Sequence, residues 1–224
     1  MMAELEFDTG VAGRVSALLM RPPDAQMLYV VAHGAGAGMR HPFMESVAKA
    51  LAAKAIASFR YRFPYMERRK RSPDPPHIAE ATVRAAVHAA ASEAADLPIL
   101  AGGKSFGGRM TSSAAAAEPL PGVRGLVFLG FPLHPPGKPG DKRAAHLSKV
   151  SVPMLFLQGT RDSFAALELL RPVCQRLGSR ATLHLVEGGD HSFKVPKRSG
   201  RSEAEVMEDL VQAIVGWGVA SIQQ

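Results

Sequence analysis

One serine in this chain stands where a nucleophile for acyl transfer belongs. Ser105 lies in Gly103-Lys104-Ser105-Phe106-Gly107, a Gly-x-Ser-x-Gly pattern. The apolar run Leu97-Pro98-Ile99-Leu100-Ala101 precedes it, and the small residues from Met110 to Ala117 follow. Apolar run, sharp turn, then helix is the setting of a nucleophile elbow, which lifts the serine oxygen clear of its strand. Flanking glycines fit that setting, because the turn strains the backbone and side chains beside it would strike neighbouring main chain. A serine hydroxyl attacks a carbonyl only when a base takes its proton and an acid holds that base in one tautomer. Asp162 lies on the turn after Val152-Pro153-Met154-Leu155-Phe156-Leu157, and His191 on the turn after Thr182-Leu183-His184-Leu185-Val186. Gly188 and Gly189 allow the histidine loop to bend back toward the serine.

Such an attack also needs two backbone N–H groups aimed at the developing oxyanion. Phe106, next after the serine, is one candidate. The other comes from His33-Gly34-Ala35-Gly36-Ala37-Gly38, which follows the apolar Tyr29-Val30-Val31-Ala32. Ala35 is assigned the amide, with its neighbour Gly36, also expected against the substrate, as the alternative donor. Phe63, Tyr65 and Met66 either line the pocket or pack a long loop, and Arg109 either anchors the elbow or meets an anionic substrate group. Plainer roles compete: Ser105 and Asp162 could each cap the helix that follows, and His191 could be a surface-turn histidine. His33 reads as ordering the glycine loop rather than moving protons. Cys174 reads as structural, and His41, His77, His88, His134, His146 and His184 are left without a role.

These residues must be positioned by a scaffold, and short apolar runs alternating with helical stretches describe one. Strands are expected over 15–20, 27–32, 55–59, 97–102, 125–129, 154–157 and 181–186, and helices over 42–54, 76–95, 107–117, 163–177 and 202–221. That alternation predicts an α/β fold, with a mostly parallel central sheet and helices on both faces. Two irregular loops, 60–75 and the proline-rich 131–141, leave strand ends, where open α/β sheets bind ligands. The 224 residues read as one domain spanning 1–224.

Composition narrows the classes. Apolar residues make up 46% and charged residues 21%, which is ordinary for a soluble globular protein. The net charge of +7 gathers in 60–71 and 194–201, outside any nucleic-acid-binding pattern, so no nucleic-acid partner is expected. No apolar run is long enough to cross a bilayer, so no membrane partner is expected either. One cysteine and an acidic start, without the basic-then-apolar order of a signal peptide, make cytoplasm the expected location. No ligand spacing for a metal appears, and the glycine loop lacks dinucleotide-binding spacing, so no metal and no cofactor are expected. A homodimer is left open.

Taken together, the chain resembles the α/β-hydrolase superfamily over nearly its whole length. The likeness is greatest to small lidless members near the dienelactone-hydrolase group. Within it, the chain resembles bacterial hydrolases related to a subunit of the eukaryotic non-specific-lethal histone acetyltransferase complex. The resemblance rests on Val31-Ala32-His33-Gly34-Ala35-Gly36, Phe59-Arg60-Tyr61, Pro73-Asp74-Pro75-Pro76, Gly103-Lys104-Ser105-Phe106-Gly107-Gly108-Arg109, His134-Pro135-Pro136-Gly137-Lys138-Pro139, Gln158-Gly159-Thr160-Arg161-Asp162 and Gly189-Asp190-His191-Ser192-Phe193. It implies a Ser105–His191–Asp162 triad, in the chain order serine, acid, histidine. Dienelactone hydrolases use cysteine where this chain has Ser105. Residues 130–149 are too few to build a helical cap, which implies an α/β-hydrolase fold without a cap domain. The activity expected is serine hydrolysis of small carboxylic esters or thioesters. The alternative is a hydrolase-fold interaction module without catalysis.

Overall fold

The computed structural model describes residues 1–222. Eight strands form one sheet: β1 (Met2–Asp8), β2 (Arg14–Met20), β3 (Met27–Ala32), β4 (Ile56–Tyr61), β5 (Ile99–Lys104), β6 (Val123–Leu129), β7 (Met154–Gly159) and β8 (Ala181–Val186). Their spatial order is β1-β2-β4-β3-β5-β6-β7-β8. β1 pairs antiparallel with β2 and β2 with β4, and every later pair is parallel. The helices are α1 (Pro42–Ala52), α2 (Pro64–Glu67), α3 (Pro76–Glu93), α4 (Phe106–Ala117), α5 (Leu167–Leu177) and α6 (Glu203–Ile222). No element of segment 130–149 other than a 3₁₀ stretch, Lys142–Lys149, rises over the sheet, so no cap domain is present among the described residues.

All six residues of β3 are buried, as a strand covered on both faces requires. Leu28, Val30 and Ala32 face one apolar layer, shared with Val83 and Val87 of α3, Met110 and Ala114 of α4, and Leu170 and Val173 of α5. Tyr29 and Val31 face the other, with Met44, Val47 and Leu51 of α1 and Leu210 and Ile214 of α6. The alternation is the two-residue period of a strand. In consequence the carboxyl ends of β3, β5, β6, β7 and β8 lie side by side along one rim.

The departures from the sequence expectations have local causes. β1 has no counterpart among them, because Phe7 is its only buried residue and little apolar pattern marks it. β4 starts at Ile56 since Ala55 turns with φ 57°, and it continues through Arg60, whose charge hides a fully buried position. The Arg60 guanidinium enters the α1 layer and its Nη1 donates to the Met39 carbonyl at 3.0 Å. The long basic loop contains the single turn α2. α5 begins at Leu167 rather than 163, because Asp162 to Ala166 form a tight turn, closed by Ala165 N–H donating to the Asp162 carbonyl.

At the centre of the sheet, β5 has room only for glycine. A Cβ on Gly102 would overlap the Val127 carbonyl of β6, and one on Gly103 the Ala32 carbonyl of β3. Gly103→Ala must therefore spread the central strands. It is expected to destabilise the fold by at least about 3 kcal/mol or to prevent folding, measured by urea unfolding followed by circular dichroism.

Candidate active site

Ser105 occupies the turn between β5 and α4, at φ 50° and ψ −115°. For a non-glycine residue this conformation costs of order 1–3 kcal/mol and persists only where the surroundings enforce it. Enforcement comes from the close approach of α4 to β3: a Cβ on Gly107 would lie 2.6 Å from both the Ala32 and His33 carbonyls. Ser105 is the N-cap of α4, yet its hydroxyl makes no capping bond. It meets a histidine instead. His191 Nε2 lies 2.8 Å from Ser105 Oγ, and His191 Nδ1 lies 2.7 Å from Asp162 Oδ2.

The partners of Asp162 decide which way that line is polarised. Its Oδ2 also accepts from Gln158 Nε2, and its Oδ1 accepts from the Phe164 amide at 2.8 Å. Gln158 is itself oriented, because its Oε1 accepts from the Phe131 amide at 2.9 Å. Asp162 is thus surrounded by donors, so it is an acceptor and His191 Nδ1 carries the hydrogen. Nε2 is left with its lone pair facing Ser105. Asp162 also takes a share in the local turn through Phe164, but it caps no helix, because α5 starts at Leu167 with Ala166 as its N-cap. Gln158 and Phe164 are residues that the sequence reading left unassigned. The Phe164 ring stacks on the His191 imidazole, with centroids 4.3 Å apart. One sign of Gln158 is visible in the sequence, as a polar residue closing the otherwise apolar run of β7.

His191 reaches the serine because its loop turns tightly. Asp190 Oδ1 accepts from the amides of Ser192 and Lys194 at 2.8 and 2.9 Å, and Phe193 sits at φ 63°. The loop docks on β7, where Arg161 N–H donates to the Gly189 carbonyl at 2.8 Å.

Phe106 and Ala35 each carry a backbone amide without an acceptor among the described residues. Phe106 opens α4, where the first amides have no partner within the helix and the helix dipole is positive. In the glycine loop, Gly36 N–H donates to Tyr65 Oη at 2.9 Å and Ala37 N–H to the Gly34 carbonyl at 3.2 Å. The amides of Gly34, Ala35 and Gly38 have no acceptor among the described residues, and Gly34 adjoins the Ser105 side chain. His33 holds this loop from below. Its Nδ1 donates to the Gly34 carbonyl at 2.8 Å and its Nε2 accepts from the Phe63 amide at 3.2 Å. Both bonds require the neutral ring, and burial pushes its pKa down to about 4.

The expected substrate contacts separate into two groups. Phe63 and Tyr65 have no exposed surface to offer: they are core residues under the glycine loop, which corrects their assignment to the pocket lining. Phe63 packs edge-on against Phe106 at 5.3 Å and against His33 at 5.1 Å, and Tyr65 secures Gly36. The physical reason is that the turn of α2 folds this segment back onto the sheet. Met66 packs over Gly38, with its Cε 3.3 Å from where a Cβ there would stand. Arg109 lies one helical turn beyond Ser105, part-buried, with its guanidinium 5.9 Å from the Phe106 ring centroid.

Other histidines have structural partners. His134 joins two loops through the Pro135 carbonyl and the Ala166 amide, His146 bonds Ser112 and His184 bonds Asp209. The Cys174 thiol is pushed up to about 11 by burial, so it is no nucleophile near neutral pH. Among the described residues, no group of three or more His, Cys, Asp or Glu side chains could hold a metal ion, and no helix is long and apolar enough to cross a membrane.

A family model described as an alpha/beta hydrolase domain matches residues 25–218. Among solved structures, the fold is similar to a lidless α/β serine hydrolase from Xanthomonas campestris, with TM-score 0.74, 20% identity, and 96% of this chain and 94% of that chain covered. It is similar to a dienelactone hydrolase from Anabaena variabilis, with TM-score 0.79, 18% identity and coverage of 98% and 97%. It is also similar to the esterase domain of a Rhodothermus marinus protein, with TM-score 0.69, 15% identity and coverage of 97% of both chains. At these identities the likeness is one of fold.

The buried neutral His33 has a consequence for acid stability. Its folded-state pKa is depressed from 6.5 to about 4, so in that interval the unfolded chain binds a proton that the folded chain refuses. The stability it contributes is fully present above pH 6.5 and falls as pH drops toward 4, by up to about 3 kcal/mol. Urea titrations between pH 7 and 4 should show this loss in the native protein and a shallower one in His33→Asn.

Proposed function

Since the chain belongs to the alpha/beta hydrolase domain family, we propose that it is a serine hydrolase cleaving small carboxylic esters or thioesters, with Ser105 as nucleophile, His191 as base and Asp162 as orienting acid. The observation carrying this is the unbroken line of hydrogen bonds from Ser105 Oγ through His191 to Asp162. A fold used only for binding has no need of that line, nor of a strained serine at its end.

In the mechanism, Ser105 Oγ attacks the carbonyl carbon while its proton passes to His191 Nε2. Negative charge gathers on the carbonyl oxygen, where the amides of Phe106 and Ala35 accept it. These donors are already in place, so no reorganisation is needed as the charge forms. The tetrahedral species collapses: the bond to the alcohol or thiol breaks, and His191 returns its proton to that leaving group. Water then enters, gives a proton to His191 Nε2 and attacks the acyl-serine carbonyl. The second collapse releases the acid and restores Ser105 with that proton. Asp162 stays an anion throughout and steadies the imidazolium, which the face of Phe164 also stabilises.

The choice of esters and thioesters rests on the residues around the serine. No cap covers the rim, so no deep tunnel for a long chain is built over Ser105 among the described residues. Arg109 stands beside the Phe106 ring in the first turn of α4, directly after Ser105, and Met66 packs against Gly38 of the glycine loop.

Intact-mass analysis after treatment with a fluorophosphonate should show one adduct on the native chain and none on Ser105→Ala. An adduct that survives in the mutant, or its absence from a folded native chain, overturns the assignment. Hydrolysis of p-nitrophenyl acetate should fall by about 10⁴-fold in Asp162→Asn, because the imidazole then takes the wrong tautomer.

A further inference from the structure

Lys104 takes no part in the line from Ser105 to Asp162, yet its side chain reaches beneath it. It is the last residue of β5, and its Nζ donates to the main-chain carbonyl of His191. The ammonium lies beside two phenyl rings stacked on each other, 5.9 Å from the centroid of Phe43 of α1 and 5.5 Å from that of Phe193. Gly130, at the end of β6, closes the seat. A Cβ there would lie 3.0 Å from Lys104 Nζ, 3.4 Å from the His191 carbonyl oxygen and 3.5 Å from His191 Nδ1. Lys104 is in none of the ion pairs among the described residues, although Asp162 and Asp190 both act on it at longer range.

A lysine normally extends its ammonium into water, and holding it in an enclosed place costs free energy. Burial pushes the Lys104 pKa down to about 8 from 10.5, against the opposing pull of Asp162 and Asp190. Below pH 8 the folded chain carries this cost in full, and the cost fades as pH rises from 8 toward 10.5. A methionine would fill the same space without it. The ammonium therefore acts against stability, while its one hydrogen bond goes to the residue that must meet Ser105.

We propose that Lys104 is a positioning residue for His191: its ammonium, seated beside the stacked Phe43 and Phe193 rings and against Gly130, grips the His191 carbonyl and sets the distance from the imidazole to Ser105. This rests on the acyl-transfer reading for its effect on rate, though not for its effect on the histidine. Ser105 follows Lys104 directly at the end of β5, so the nucleophile and the tether of its base move as one body. A shift of the imidazole by about 1 Å is enough to cost about 100-fold in rate.

The test uses the full chain as wild type, Lys104→Met, Lys104→Arg and Ser105→Ala. Three readouts are needed: thermal stability at pH 7, kcat and KM for p-nitrophenyl acetate, and the downfield proton resonance of His191 Nδ1–H bonded to Asp162. Lys104→Met is expected to melt no lower than wild type, to lose about 10- to 100-fold in kcat with KM little changed, and to shift or broaden the resonance. Lys104→Arg, which keeps a donor, should recover part of both. A folded Lys104→Met with wild-type kcat and an unmoved resonance overturns the proposal. So does a kcat loss that tracks a fall in melting temperature and that arginine does not relieve. If wild type and Ser105→Ala alike fail to hydrolyse esters while the resonance still responds to Lys104→Met, the acyl-transfer reading falls and the positioning role stands.

Discussion

The crowding of main chain at the end of β5 is the constraint on which the rest depends. Carbonyls of β3 and β6 occupy the space where side chains of Gly103 and Gly102 would be, and the Ala32 and His33 carbonyls occupy that of Gly107. With no side chains in the way, α4 starts immediately after the strand and bends Ser105 into φ 50°. That bend has three results at once. The hydroxyl leaves the strand and cannot cap its own helix. The Phe106 amide is left at a helix N-terminus without an acceptor. Lys104 is turned to the opposite side, beneath the loop that brings His191 back.

Around this point the buried polar groups are paired almost completely, and their pairing does the positioning. Gln158 has no exposed surface, and it joins the Phe131 amide to Asp162. His33, equally enclosed, joins the glycine loop to the Phe63 amide. Each is a polar side chain with a donor and an acceptor used in opposite directions, which leaves one orientation open to it. Leaving either partner unmet in such a place costs about 1–3 kcal/mol, so the loops are held by the penalty for letting go. Among the described residues, two buried atoms stand outside this pattern, Ser58 Oγ and Arg60 Nε, both on β4 and both without a protein partner.

Charge follows a similar logic. The net positive charge lies mostly on exposed side chains of the loops, where ion pairs contribute little. The cations that matter to the site are few and enclosed: Lys104 beneath His191 and Arg109 beside Phe106.

Much of the architecture was legible in the chain, because a parallel sheet writes its strands as continuous apolar runs. β3 and β8 fall at their expected bounds, and the other central strands and the longer helices differ by a few residues at their ends. Ser105, Asp162 and His191 were readable from their places after apolar runs, since a residue at a strand's carboxyl end is delivered to the rim whatever its type. The sequence did not reveal what only proximity creates. β1 lacks an apolar pattern, as it buries one side chain. Phe63 and Tyr65 have the composition of pocket residues, and only the turn of α2 sends them into the core. Lys104 and Phe164 carry nothing in their spacing that marks them. Both meet His191 on the loop after β8, and Gln158 meets Phe131 on the loop after β6, contacts as far as 87 positions apart along the chain for Lys104 and His191. Periodicity determines which face a side chain takes on its own element. What it meets there is decided by the register and order of strands that the chain brings together only when it folds.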